Sequence, residues 1–94
     1  MQMAGFEWDD AKAADNFAKH GVSFEAACRV FSDPFAIERL DDRRNYGEER
    51  FVIVGMVDER LLFVAFTMRA DRIRIISARG AEPLERREYH DESS

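Results

Sequence analysis

Three β-rich runs joined by short connections fill the second half of the chain, and they constrain its fold more than any other feature. They span Arg50 to Val57, Arg60 to Thr67 and Arg72 to Ala78. Asp58-Glu59 is short enough for a tight hairpin between the first two runs, and residues 68–71 connect the second run to the third. Strands joined this closely are antiparallel neighbours. With Phe35 to Leu40 as one further strand, we predict an antiparallel sheet of about three to four strands.

The first half of the chain has helical spacing. Asp9 is placed to cap a first helix that ends at Lys19-His20, with Gly21 as its left-handed cap residue. Ser23 is placed to cap a second helix, which ends at Asp33-Pro34 because the residue before a proline avoids the helical region. The apolar stripes that we expect to face the core are Ala11, Ala14, Phe17 and Ala18 in the first helix, and Phe24, Ala27, Cys28 and Phe31 in the second.

A short third helix is predicted at the C-terminal end, where Pro83 suits the first turn. It carries Leu84, Arg86, Arg87 and Tyr89, and residues 90–94 are expected to form a frayed tail. Helices followed by an antiparallel sheet define an α+β domain with helices packed on one face of the sheet. Since the sequence contains no repeat, linker or low-complexity tract, we predict one domain over residues 1–94.

The overall charge excludes one class of protein. The 94 residues carry 14 Lys and Arg against 19 Asp and Glu, a net charge of −5, which argues against a polycationic coat for nucleic acid or an anionic membrane. The longest apolar run, Leu61 to Phe66, is too short to span a bilayer, and the N-terminal residues lack a secretory pattern. One cysteine, Cys28, forms no intrachain disulfide, and we expect it in the core. These features predict a cytoplasmic protein without membrane contact.

The basic residues are distributed unevenly. Residues 50–81 carry six Arg, no Lys and three acidic side chains, whereas residues 1–49 carry six basic and eleven acidic ones. Arginine is the residue preferred for a bidentate grip on phosphate or carboxylate. The alternative is that these arginines are solvated flanks that protect hydrophobic strands from aggregation. The Arg-rich sheet is therefore a candidate anion site.

The predicted hairpins separate the arginines into two groups. If Asp58-Glu59 is the first turn and the second is centred near Ala70, Thr67 faces Ile73 and Leu61 faces Arg79. One end of the sheet then holds Arg50, Arg69 and Arg72, and the other holds Arg60 and Arg79. About 20 Å of strand lies between the two ends, so one small site does not contain every arginine. Alternation also puts Arg72 and Arg74 on a common face.

Other candidate residues have two interpretations each. Lys19 and His20 either complement the dipole at the helix C-terminus or take part in proton transfer. Tyr46 either anchors a polar loop or offers a ring on which a base stacks. The sequence has no Gly-rich phosphate loop, no HExxH and no G-x-S-x-G motif, and its two histidines and one cysteine make a zinc site improbable. We expect neither a metal nor a cofactor.

Several segments in a fixed order resemble the BrnT family of bacterial toxins, across about residues 6–89. The N-terminal ones are Phe6-Glu7-Trp8-Asp9, followed by Lys12 and Asn16, then Lys19-His20-Gly21-Val22-Ser23 and Val30-Phe31-Ser32-Asp33-Pro34. The C-terminal ones are Glu48-Glu49-Arg50, Arg60-Leu61-Leu62, Ile73-Arg74-Ile75-Ile76-Ser77-Ala78-Arg79 and Glu85-Arg86. The resemblance implies a fold similar to the RelE-type toxins. It also implies a ribonuclease toxin of a type II toxin–antitoxin pair that cleaves RNA without a metal. The implied partner is a BrnA-like antitoxin with a ribbon-helix-helix domain, through which alone operator DNA is bound.

The same resemblance suggests roles for individual residues. Arg79, together with Arg69 or Arg72, would bind phosphate, and Lys19 or His20 would assist charge stabilisation or proton transfer. We therefore predict Arg79, Arg69, His20 and Lys19 as catalytic residues, and Arg72, Arg50 and Tyr46 as substrate-binding residues. Glu49 or Tyr46 are the alternative proton-transfer groups.

One departure from the family pattern supports a second hypothesis. Arg43-Arg44-Asn45-Tyr46 occupies a loop in which many relatives have a histidine. The alternative to an active ribonuclease is therefore a weak or inactive member that acts as an antitoxin-binding corepressor. A third hypothesis is a small binding domain for an anionic metabolite.

Overall fold

The computed structural model describes residues 2–3, 5–41 and 47–93. Its helices are α1 (Asp10–His20), α2 (Phe24–Arg29) with a following 3-10 turn (Val30–Ser32), and α3 (Pro83–Ser93). Its strands are β1 (Gln2–Met3), β2 (Phe6–Glu7), β3 (Ile37–Asp41), β4 (Arg50–Val57), β5 (Arg60–Arg69) and β6 (Arg72–Gly80). The predicted α+β class is confirmed. None of the helices described is long and apolar enough to cross a membrane.

The sheet is larger than predicted and is not wholly antiparallel. Its six described strands have the order β1-β2-β6-β5-β4-β3, so the prediction of three to four strands is wrong. The four long strands form the predicted antiparallel meander, whereas β2 pairs in parallel with β6 through Phe6–Ile73 and Glu7–Arg74. Strands of two residues are too short to show an alternating pattern, which is why β1 and β2 were not predicted.

Helix α1 begins and ends as predicted but buries a different face. Asp9 accepts a hydrogen bond from the Lys12 amide, and Gly21 adopts the left-handed conformation with φ 68°. The predicted apolar stripe is wrong, because Ala14, Ala18 and Phe17 are exposed, Phe17 by 56%. Asn16 is the buried residue of this helix.

Helices cover both faces of the sheet, so the prediction that the helices pack on one face is wrong. On the two-helix face, α2, the 3-10 turn and part of α1 pack on a core that includes Phe24, Val30, Leu62, Val64 and Phe66. The opposite face, which we call the α3 face, carries a smaller core of Val54, Leu61 and Tyr89. Packing on the two-helix face requires a glycine at position 55 of β4, since a Cβ there would lie 2.8 Å from Val30 Cγ1. Cys28 is buried in the larger core, as predicted, and burial raises the pKa of its thiol to about 11.

Helix α3 is attached to the rest of the fold by polar contacts and by Tyr89. The Tyr89 hydroxyl donates a 2.6 Å hydrogen bond to Asp33 Oδ2, and Arg39 Nη2 donates to Glu88 Oε2 at 3.1 Å. The helix continues through Ser93, so the frayed tail predicted for residues 90–94 is not seen in the part of this segment that is described.

The β5–β6 register differs from the prediction by one residue and then by two. The Asp58-Glu59 hairpin pairs Val57 with Arg60, as expected. Thr67 faces Arg74, however, and Phe63 faces Arg79, so the predicted Thr67–Ile73 and Leu61–Arg79 pairs are wrong. The one-residue shift in register comes from a turn that is tighter than predicted, in which Arg69 pairs with Arg72. The further shift comes from a β-bulge, which leaves Ile76 without a partner on β5.

Candidate active site

A row of charged and polar residues crosses one end of the α3 face. Asp41 pairs with Arg50, Thr67 pairs with Arg74, and Arg74 pairs with Glu7. Arg50 precedes the Phe51–Phe66 pair, which places it beside Thr67. The row therefore runs over five strands, from β3 to β2, and contributes its arginines to one surface.

Two of these arginines line a cavity of about 150 Å³, which we call the arginine pocket. Its charged lining residues are Lys12, Arg50, Arg69 and Arg74 on the basic side, and Asp9 and Glu48 on the acidic side. The basic groups come from α1, β4, β5 and β6, so only the folded sheet brings them together. Four cations against two carboxylates make this a site of local positive charge in a chain whose net charge is −5.

Glu7 orients the arginines at the edge of the pocket. Arg74 Nη1 lies 2.7 Å from Glu7 Oε2, and Arg72 Nε lies 3.5 Å from Glu7 Oε1. Arg72 also donates to the Phe6 carbonyl at 2.6 Å. The Glu7 side chain is only 16% exposed, so its carboxylate is held in place. It fixes the guanidinium groups of Arg72 and Arg74, which belong to β6, beside strand β2.

The carboxylates that line the pocket differ in how firmly they are engaged. Asp9 caps α1, and its hydrogen bond from the Lys12 amide holds the pKa of this carboxyl below its ordinary value. Glu48 Oε2 lies 3.7 Å from Arg50 Nε, and its side chain is 43% exposed. Thr67 donates its hydroxyl to the Glu49 carbonyl, which secures the segment that carries Glu48. Glu48 is therefore the more available of the two carboxylates.

Lys19 and His20 lie in a neighbouring cavity of about 300 Å³, lined also by Lys12, Ile76 and Ser77. Lys12 and Ile76 line both cavities, so the two form one groove along α1. His20 is eight positions after Lys12, about 12 Å along the helix. Lys19 pairs with Asp15 at 3.0 Å, but both side chains are 65% exposed, so this ion pair is weak.

Arg79 lies outside this groove. It faces Phe63, six residues along β5 from Arg69, or about 20 Å away. Its guanidinium makes two hydrogen bonds to the Glu85 carboxylate, at 2.9 and 2.8 Å, and stacks 4.0 Å from the centre of the Phe63 ring. Burial raises the pKa of Glu85, but the bonds from Arg79 and the Glu82 amide outweigh it and lower that pKa overall. The structure therefore does not bring the four predicted catalytic residues into one site.

The remaining predicted residues divide between the pocket and its edge. Arg50 and Arg69 line the arginine pocket, and Arg72 is joined to it through Glu7, so the predicted grouping of these three at one end of the sheet is confirmed. Tyr46, like residues 43–45, lies outside the described residues. Glu49 is exposed beside the pocket.

Sequence reasoning did not select Lys12, Arg74 or Glu7 as site residues. Strand alternation could have selected Arg74, since it shares a face with the predicted site residue Arg72. No sequence pattern could have selected Glu7, because its position depends on the parallel β2–β6 pair. Among the described residues, no group of three His, Cys, Asp or Glu side chains is arranged to hold a metal ion.

The fold and the site define a small α+β domain with a pocket of basic side chains on its sheet. Comparison with family models identifies the family. The model described as the ribonuclease toxin BrnT of a type II toxin–antitoxin system matches residues 8–85, and the chain belongs to this family. The predicted family is thereby confirmed, and membership in a type II system implies an antitoxin partner. The search of curated proteins gives no match.

Proposed function

We propose that this chain is a metal-independent endoribonuclease toxin with a RelE-like fold, and that it cleaves RNA at the arginine pocket. The observation that carries the proposal is the convergence of Lys12, Arg50, Arg69 and Arg74 on one cavity. Cleavage without a metal proceeds by attack of the ribose 2′-oxygen on the adjacent phosphorus. The bond from phosphorus to the 5′-oxygen breaks, which leaves a 2′,3′-cyclic phosphate and a 5′-hydroxyl whose proton comes from water. The negative charge that builds on the phosphoryl oxygens needs fixed cationic donors, and arginine supplies them.

In this proposal the residues of the pocket have separate roles. Arg69 and Arg74 bind the scissile phosphate, and Glu7 keeps Arg74 in position. Glu48 accepts the proton of the 2′-hydroxyl, since it is the available carboxylate of the pocket. Lys19 and His20 bind the strand further along the groove. Arg79 stabilises α3 through Glu85 and does not touch the reacting phosphate.

We further propose that the antitoxin is a BrnA-like ribbon-helix-helix protein encoded in the adjacent reading frame, and that the toxin acts in the cytoplasm. The support is the family to which the chain belongs. Operator DNA is then bound only through the antitoxin.

The first prediction is that purified wild-type protein cleaves RNA in EDTA and that Arg69→Ala lowers the cleavage rate about 100-fold. A loss of this size is typical when one donor to a developing oxyanion is removed. Arg69 is exposed, so the substitution leaves the fold intact. Single-turnover cleavage of a labelled RNA measures the rate, and Glu48→Gln lowers it to a similar extent.

Arg87→Ala, on the exposed side of α3, is the matched control and keeps the wild-type rate. Arg79→Ala changes the rate by less than about threefold once its lower stability is taken into account. If Arg79→Ala abolishes cleavage and Arg69→Ala does not, the catalytic centre lies at Arg79. Intact RNA with folded wild-type protein would favour the inactive, antitoxin-binding alternative.

A further inference from the structure

A second concave surface lies between β3 and α3, apart from the arginine pocket. This β3–α3 groove has a volume of about 390 Å³ and is floored by Val52 and Phe63. The α3 wall contributes Leu84, Glu85 and Glu88, and Glu82 lines the groove just before this helix begins. No residue lines both this groove and the arginine pocket, so the two surfaces can be altered separately.

Exposed apolar side chains flank β3 on both faces of the sheet. Leu84 is 64% exposed and lines the groove on the α3 face. Leu40 is 49% exposed and pairs with Phe51, whose ring packs on the larger core, so Leu40 belongs to the two-helix face. Large apolar groups on both sides of one strand mark an interaction site better than a single exposed residue does.

β3 is also a terminal strand of the sheet. Within the described residues it pairs with β4 alone, so one of its backbone edges is open. Edge strands of this kind accept a further strand from a partner, with main-chain hydrogen bonds providing affinity. An added strand sends alternate side chains to the two faces and covers both Leu40 and Leu84. A helix lying in the groove would cover Leu84 but would leave the backbone edge of β3 without hydrogen-bond partners.

The charge of the groove specifies the partner. Its lining holds Asp41, Glu82, Glu85 and Glu88 against one basic residue, Arg39. Arg39 pairs with Glu88, whereas the Glu82 side chain is 69% exposed and lies 3.8 Å from Arg79. This excess of negative charge repels an RNA strand and attracts basic side chains.

We propose that an extended segment of the antitoxin, with alternating apolar and basic residues, adds to β3 and fills the β3–α3 groove. The proposal rests on the toxin–antitoxin assignment and does not depend on where RNA is cleaved. The basic side chains of the antitoxin segment approach Glu82 and the neighbouring acidic residues, and its apolar side chains cover Leu84 and Leu40.

The test measures the affinity of the full-length toxin for the protein encoded in the adjacent reading frame, by titration calorimetry. Leu84→Arg is expected to raise the Kd at least tenfold. Phe17→Arg is the matched control, because Phe17 is a similarly exposed apolar residue on α1, and it is expected to change the Kd less than twofold. If Phe17→Arg weakens the complex and Leu84→Arg does not, the antitoxin docks on α1 and the proposal is wrong.

Two further measurements test the strand and the charge. Hydrogen exchange at the amides of residues 37–41 is expected to slow at least tenfold in the complex, and unchanged exchange there overturns strand addition. Glu82→Lys is expected to weaken the complex severalfold, and Glu59→Lys, in the exposed β4–β5 turn, is not. Concentration-dependent self-association of wild type that is lost in Leu84→Arg would assign the groove to a second copy instead. Free Leu84→Arg keeps the wild-type RNA cleavage rate, so failure of the nuclease proposal and failure of this one give different results.

Discussion

Asn16 takes the place that a neighbouring strand would have beside β6. Its carboxamide donates to the carbonyls of Ala78 and Val22, at 2.8 and 3.1 Å, and accepts from the Ala78 amide at 3.1 Å. The β2 strand pairs with β6 only at Ile73 and Arg74, so the edge further along is open to α1. One buried amide side chain thus joins α1 to the sheet and satisfies backbone groups that would otherwise lack partners.

We predict that Asn16→Ala lowers the free energy of unfolding by about 3 kcal/mol, since buried groups of Ala78 and Val22 lose their partner. Urea denaturation at neutral pH measures the change. Asp15→Ala, which removes only the exposed pair with Lys19, is expected to cost less than about 0.5 kcal/mol. A loss below about 1 kcal/mol in Asn16→Ala would mean that water replaces the amide.

The buried residue of α1 was not predictable from hydrophobicity. Spacing selected the apolar Phe17 and its alanines, whereas the helix turns Asn16 inward because the sheet edge needs a donor and an acceptor there. The spacing of apolar residues in a helix indicates which side chains avoid water. It does not indicate which backbone groups elsewhere in the fold the helix must supply with hydrogen-bond partners. Asn16 appeared in the sequence only as part of the segments that resemble the BrnT family.

At the scale of elements, α3 is joined to the two-helix side through Asp33. Asp33 Oδ2 accepts from the Tyr89 hydroxyl and from the Met56 amide at 2.7 Å, and its Oδ1 accepts from the Phe35 amide at 2.9 Å. Burial raises the pKa of Asp33, but these hydrogen bonds outweigh it and lower that pKa overall. Burial, together with the bond to Asp33, raises the pKa of Tyr89 to about 12.

These shifts predict how the free energy of unfolding depends on pH. The Asp33 contribution is present above the unfolded pKa of about 4 and is lost as the pH falls through the lower folded value. The Tyr89 contribution is present below about pH 10 and is lost as the pH rises towards 12. Asp33→Asn is expected to lower the free energy of unfolding by about 1–2 kcal/mol at pH 7. It is also expected to reduce the loss of stability at acid pH, which is the acid limb of the curve of stability against pH.

Urea midpoints measured from pH 2 to pH 11.5 give both limbs of this curve. Tyr89→Phe should flatten the alkaline limb, and Asp91→Asn, on the exposed side of α3, should leave both limbs unchanged. Identical acid limbs for wild type and Asp33→Asn would show that other carboxylates govern acid unfolding.

The elements themselves were largely predictable, and the pairing between β5 and β6 was not. Caps at Asp9, Gly21 and Ser23 mark the helix ends, and β4 has the predicted bounds. The β5–β6 turn is tighter than its sequence indicates, because Ala70 adopts φ 56°, a conformation more typical of glycine or asparagine. No residue type near Ile76 predicts the β-bulge in β6. The separation of the arginines into two ends was nevertheless predictable, since strand length alone determines it.

For the whole molecule, the uneven distribution of charge determines how RNA binds. The acidic groups dominate the chain, and the arginine pocket is a local exception in which four cations face two carboxylates. The composition argues against a polycationic coat. It did not locate the basic site, which requires Lys12 from the first half of the chain as well as the arginines of the second.

We predict a shallow salt dependence, with log K for single-stranded RNA falling against log salt concentration at a slope of about −2. About three phosphate contacts at −0.7 each give this value. Fluorescence anisotropy of a labelled RNA, with the weakly cleaving Glu48→Gln variant as background, measures the slope. Adding Arg74→Ala should reduce its magnitude by about 0.7, and adding Arg87→Ala should not; a slope of −5 would contradict a single basic site.

The bulge at Ile76 lets β6 hold one residue more than the facing stretch of β5 while its arginines stay on one face. Arg74 and Arg79 are five positions apart, and a regular strand would turn them to opposite faces. Both reach the α3 face because one residue is taken up between Ile75 and Ser77. An in-frame loss of the Ile76 codon would leave Arg74 and Arg79 four positions apart, so a regular strand would keep both on the α3 face, opposite Thr67 and Phe63. When genes of this family are aligned, a gap at this codon is therefore compatible with the same arginine surface.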